Sequence, residues 1–168
     1  AREPLFHWLT DALPPVAARD HNDQNVLTRL QHRDGVYVDE LPLGRYQGLT
    51  DGHFVDLSFA GVPASRPLHL ILWGWTFPTD TSINFALAQD SSRSLRGPSL
   101  EVLHADGSRT LVSPFIGFPN GKRKAMVVNL GDNIPAGDVT LRLATSMQIY
   151  WDAAVLSHGD PSVPAVVT

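Results

Sequence analysis

From Val36 onward the sequence is heavily punctuated. Short apolar stretches alternate with Gly, Pro, Asn and Asp at fairly even spacing, with no long helical periodicity between them. Asp34-Gly35, Asp51-Gly52, Asp106-Gly107 and Asn120-Gly121 each supply a pair that tolerates the positive φ of tight turns. Such spacing is the signature of antiparallel strands and argues against βαβ units. The expected fold is therefore all-β: an antiparallel β-sandwich, jelly-roll or galactose-binding-like, with an irregular N-terminal arm.

Period-two alternation places the strands. In 53–59, Val55, Leu57 and Phe59 share one face while Phe54, Asp56 and Ser58 share the other. Met126, Val128 and Leu130 form a second such series, and Val139, Leu141 and Leu143 a third. Residues 100–104 and 109–112 read as a hairpin around Asp106-Gly107. The stretch 68–75 is apolar on both faces, Leu68, Leu70 and Leu72 against Ile71, Trp73 and Trp75, which marks a central strand covered on both sides. In 148–155 strict alternation puts Ile149, Trp151, Ala153 and Val155 on one face and Gln148, Tyr150 and Asp152 on the other.

Domain limits follow from where this pattern stops. Residues 1–35 carry Pro4, Pro14 and Pro15, and read as an arm wrapping the sandwich, anchored by Phe6, Trp8 and Leu9. It holds at most one short helix around Val26, Leu27 and Leu30, capped by Asn22 or Asp23. The sandwich occupies 36–157, and 158–168, with Pro161 and Pro164, reads as an exposed tail. The chain starts at Ala1 rather than Met, as expected of a processed protein or a piece of a longer one.

Composition excludes several function classes. With 43% apolar and 18% charged residues over 168 positions, a self-sufficient core is expected. Thirteen Lys and Arg against seventeen Asp and Glu leave a net charge of −4, which opposes nucleic-acid binding. The compact basic cluster Lys122, Arg123 and Lys124 reads as a solvated turn. Without cysteine there is no disulfide, thiolate metal site or cysteine nucleophile. The longest apolar run falls far short of the roughly 20 residues that span a bilayer as a helix.

Three stretches carry a family resemblance: Trp73-Gly74-Trp75-Thr76 continuing to Asp80-Thr81-Ser82-Ile83-Asn84, Ile116-Gly117-Phe118-Pro119-Asn120-Gly121-Lys122, and Ser146-Met147-Gln148-Ile149-Tyr150-Trp151-Asp152. Together they resemble the C-terminal β-rich region of bacterial proteins with FG-GAP or VCBS propeller repeats. That group is related to the UnbV and cartilage-acidic-protein family and is sometimes described with tetratricopeptide repeats. The resemblance spans about 52–156. It implies an exported protein, periplasmic or extracellular, and an accessory or adhesion-like role. It supplies no catalytic residue to carry over, and this chain departs from the group in lacking a propeller repeat.

Two residue groups stand out as candidate sites. Asp20, His21, Asn22 and Asp23 bring together ligands for a hard cation such as Ca²⁺, although the same residues serve as turn formers and caps, and the spacing fits no EF-hand or zinc motif. Trp73, Trp75, Tyr150 and Trp151 would make a platform for stacking sugar rings, with Asp80 and Asp152 accepting from hydroxyls; the competing role for such large rings is packing. Gly-x-Ser-x-Gly, His-Glu-x-x-His, P-loop and dinucleotide patterns are missing. Asp11, Asp56, Asp80 and Asp152 offer carboxylates for an acid-base pair, with nothing to favour any pairing. His69 and His104 fall within strands, where a hydrogen-bonded structural role is expected. The leading expectation is a non-catalytic extracytoplasmic interaction module, an accessory subunit contacting another protein or its own copy, without a cofactor. A carbohydrate-binding module is the alternative, and a metal-assisted hydrolase the second.

Overall fold

The computed structural model describes residues 9–65, 67–90 and 94–159. Its strands are β1 (Leu9–Leu13), β2 (Ala17–Asp20), β3 (Leu49–Val62), β4 (Leu68–Thr76), β5 (Ser99–Leu103), β6 (Arg109–Ser113), β7 (Lys124–Gly131), β8 (Gly137–Met147) and β9 (Ile149–Gly159). A single α-helix among the described residues, α1 (Thr81–Gln89), follows β4. One sheet has the order β1-β9-β4-β7 and the other β2-β3-β8-β5-β6. All pairings are antiparallel. With β2 set aside as an added edge, two four-stranded sheets in the orders 1-9-4-7 and 3-8-5-6 form a jelly roll.

The core lies between the sheets. Val55, Leu57 and Phe59 of β3, Leu68, Leu70 and Leu72 of β4, and Val139, Leu141 and Leu143 of β8 fill it, as their alternation predicts. Leu130 is buried while Met126 and Val128 are partly so, because β7 is the open edge of its sheet. The second face of β4 holds buried Ile71 and half-buried Trp73 and Trp75.

Strict alternation fails in β9. Trp73 pairs with Ala153 but Gly74 with Trp151, so Asp152 is an extra residue in a bulge. The bulge shifts the phase: Ile149 and Trp151 point inward, and then Ala154 and Leu156 do, not the expected Ala153 and Val155. Asp51-Gly52 also lies within a strand rather than at a turn. Gly52, at φ 99°, sits in the β3 irregularity between the Leu49↔Met147 and His53↔Thr145 pairs.

The arm is more regular than expected. It supplies β1 to one edge of β9 and β2 to one edge of β3, and so wraps both sheets. Beyond β1, the edge of β9 is occupied by 30–38: Ala154 donates to Leu30 O at 3.0 Å, and Val38 N donates to Trp151 O at 2.9 Å. The short helix is a single 3-10 turn, Leu27–Arg29, entered from Val26 with no side-chain cap, so neither Asn22 nor Asp23 caps it. Phe6, Trp8, Pro161 and Pro164 lie outside the described residues; β9 itself runs past the expected boundary to Gly159. No helix among the described residues is long and apolar enough to cross a membrane.

Gly74 is where β4 passes closest to the bulged strand. A Cβ there would lie 2.6 Å from Tyr150 O and 2.9 Å from Trp151 Cε3, and Trp151 is the largest fully buried side chain. Gly74→Ala should therefore destabilise the fold by about 3 kcal/mol, the upper end for overpacking, measured as a fall in the urea midpoint at unchanged m-value. A loss below about 1 kcal/mol would contradict this packing.

Candidate functional site

One end of the sandwich is built differently from its faces. There the corner between β8 and β9 carries Thr145, Ser146 and Gln148, all buried despite being polar. Buried polar groups require partners, and these three find them in the surrounding segments. Thr145 Oγ1 donates to Arg96 O at 2.8 Å, Ser146 Oγ donates to Ser94 O at 3.1 Å, and Arg96 N donates to Ser146 Oγ at 2.8 Å. Phe77 N donates to Gln148 O at 2.9 Å, Gly48 N to Gln148 Oε1 at 3.1 Å, and Gln148 N to Gly48 O at 2.9 Å. Gln148 Nε2 reaches Tyr150 Oη at 2.6 Å.

These ties frame a cleft of about 440 Å³. Its walls include Thr76 at the end of β4, Phe77 and Thr79 after it, Asn84 of α1, Leu95 and Gly97 before β5, Phe115, Phe118 and Asn120 between β6 and β7, and Met147. Two glycines are required by space. Gly48, at φ +81°, would place a Cβ 2.8 Å from Thr79 N, and Gly97 would place one 2.4 Å from Phe115 Cε2, so the Phe115 ring rests on bare backbone. Ile116 N donates to Pro98 O at 2.9 Å, holding the ring-bearing loop against the segment before β5.

Among the described residues that line the cleft, none is charged. The Thr76 hydroxyl is buried and has no hydrogen-bond partner among the described residues. The Asn84 and Asn120 side-chain amides make no hydrogen bond to the described residues. Phe115 is 56% exposed, Leu95 51% and Phe118 38%, an apolar rim beside the buried Thr76 and the exposed Asn84 and Asn120. Above it, α1 buries no side chain and leaves Phe85 67% exposed.

Across Gly97 lies a second, polar cleft of about 450 Å³ with His21, Asp51, His53, Arg96 and Ser99 in its walls. The His53 ring is buried, its Nδ1 3.0 Å from Thr50 Oγ1 and its Nε2 without a partner. It meets His21 edge to face at 6.1 Å. Ser99 Oγ donates to Ala144 O at 3.4 Å, so the hydroxyl paired with the imidazole is that of Thr50 and not that of Ser99.

The residues anticipated from sequence scatter. Of the aromatic platform, Trp75 and Tyr150 do come together on the outer face of the β4 sheet, stacked at 4.8 Å and 14°. They stack on each other, with Tyr37 edge-on to both at 6.4 Å and Phe77 against Trp75 at 5.9 Å. Arg123 lies over Tyr37 at 5.5 Å, which gives one member of the basic cluster a packing contact. Trp73 is half-buried on the same face, whereas Trp151 is in the core. Asp152 is fully buried, its Oδ1 accepting from Gly35 N at 2.8 Å. Asp80 caps α1, accepting from Ser82 Oγ at 2.6 Å and Ile83 N at 2.8 Å; the Ser82 hydroxyl first, and then the Ile83 N–H, hold its carboxyl below the usual range.

The Asp20 group is a turn. Asp20 Oδ1 accepts from Asn22 N and Gln24 N, both at 2.9 Å, while Asp23 pairs with Arg19 at 3.2 Å and His21 faces His53. Among the described residues no three His, Asp or Glu side chains converge as a cation site. Asp56 is taken by a bidentate pair with Arg142 at 2.7 and 2.8 Å. The Asp11 side chain lies outside the description.

No family model matches the sequence, and a search of the curated proteins finds no match. The three stretches that carry the resemblance nevertheless meet in space: Thr76, Phe77, Thr79 and Asn84 come from the first or its immediate interior, Phe118 and Asn120 from the second, and Met147 from the third. Leu95, Gly97 and Phe115 lie outside those stretches, and no sequence period singles them out.

Burial first, and His21 second, push the His53 pKa down from 6.5 to about 4. The unfolded chain takes up this proton below pH 6.5, while the folded chain resists it until about pH 4. The contribution is therefore complete above pH 6.5 and is lost as the pH falls through that window, up to about 3 kcal/mol. Urea titrations from pH 7 to 4 should show a shallower loss for His53→Gln than for the parent; equal slopes would refute the buried neutral ring.

Proposed function

We propose that this domain is a non-catalytic extracytoplasmic binding module that engages its partner at the loop end of the sandwich. The observation that carries this reading is the end cleft: an uncharged hollow with an aromatic rim, polar groups left without partners, and walls tied to a buried polar corner. Sites for small ligands are commonly concave, largely apolar and supplied with a few placed polar groups. Hydrolysis would ask for a nucleophile, an acid-base pair or a held metal, and the cleft's lining offers uncharged amides and hydroxyls instead. Location outside the cytoplasm and an accessory role rest on the resemblance of the three stretches.

A sugar platform on the outer β4 face is the weaker alternative, because Trp75 and Tyr150 already spend their stacking faces on each other.

The reading is tested by amide chemical-shift mapping of the labelled chain against panels of oligosaccharides, peptides and chromogenic ester and glycoside substrates. Binding should perturb amides in 76–84, 95–97 and 115–120, with no product formed. Perturbations confined to Tyr37, Trp75 and Tyr150, or turnover of a substrate, would overturn it.

A further inference from the structure

We propose that the loop-end cleft takes a neutral sugar ring, an assignment that rests on the binding-module reading and gives it a ligand class. The first argument is charge. The chain carries thirty Lys, Arg, Asp and Glu side chains, and none of those among the described residues lines this cleft. A phosphate, uronate or ammonium ligand would lose its hydration there without gaining a counter-charge, which is strongly unfavourable.

The second argument is the donor set. Asn84 and Asn120 each present an amide with two donors and an acceptor, and neither amide is used by the described residues. Adjacent sugar hydroxyls both donate and accept, so one amide can satisfy two of them. An apolar peptide side chain seated here would desolvate these amides and give them nothing in return. Leaving buried polar groups unpaired is the more costly outcome, so the donor set favours a polyhydroxylated occupant over a greasy one.

Third, the rim supplies the apolar half of the contact. Phe115 and Phe118, with ring centroids 6.4 Å apart and tilted by 58°, offer exposed faces at two angles. A pyranose has a face of C–H bonds and an edge of hydroxyls. The cleft pairs aromatic surface with the former and amide groups with the latter. Its walls are held by backbone hydrogen bonds to Gln148, Ser146 and Pro98, so little order has to be gained on binding.

The test uses the intact chain on an array of neutral and acidic oligosaccharides, followed by calorimetry with the best neutral one. Retention of neutral glycans is expected. Asn84→Ala, Asn120→Ala and Phe118→Ala should each weaken binding at least tenfold while the melting temperature stays within about two degrees. Both asparagines are exposed, so these variants should fold. Retention of acidic glycans alone, neutral binding untouched by the asparagine variants, or no glycan binding would overturn the proposal. If peptides shift the loop-end amides while neutral sugars do not, the sugar assignment fails and the binding-module reading survives. If neither class shifts them, both fail.

Discussion

The buried polar corner between β8 and β9 holds the loop end together. Thr145, Ser146 and Gln148 sit where a sandwich would ordinarily place apolar side chains or expose a turn; Thr145 and Ser146 reach into 94–96 and Gln148 into Gly48. A typical intramolecular hydrogen bond contributes only about 1 kcal/mol net, but an unmet buried group costs about 1–3 kcal/mol. The corner is thus tolerated only while the segments at Gly48, Phe77 and Ser94–Arg96 remain seated on it. The same requirement that satisfies these atoms fixes the walls of the cleft, and Met147, carried between them, becomes part of its lining.

Elsewhere the sandwich spends its surface chemistry on itself. Arg142 chelates Asp56 and lies over Phe54 at 3.6 Å; the Asp56 hydrogen bond, with Asp56 and Glu101 as nearby negative charges, raises its already high pKa. Ser58 and Thr140 share a hydrogen bond at 2.9 Å across the same face, and Arg109 reaches Glu101 at 3.2 Å. On the opposite sheet the Tyr37, Trp75, Phe77 and Tyr150 rings satisfy one another. Such pairings give cross-strand support of a fraction of a kcal/mol each.

The architecture was readable because burial on one face of a strand imposes a period of two, and β3 and β8 obey it along their buried lengths. What the pattern could not carry is any local change of phase. The extra residue at Asp152 sends Trp151 inward and Tyr150 outward, then moves the buried set from Ala153 to Ala154, and nothing in residue type announces it. The arm's strands are four and five residues long and flanked by prolines, too short for a period to emerge. Helix α1 was invisible for the opposite reason. It buries no side chain, so its sequence is under no obligation to be amphipathic. The candidate site was legible only as three unconnected stretches; their meeting is a property of jelly-roll topology, which brings the ends of β4, β6 and β8 to one place.

That last helix has a consequence for how the domain can change. An element that buries no side chain can be resequenced without altering the core that holds the two sheets together; its start is set by the Asp80 cap, and Tyr46 Oη reaches Asp90 at its end, 3.4 Å away. The residues of α1 and those of the core between the sheets are separate sets. A lineage could retune one while the other stays constant.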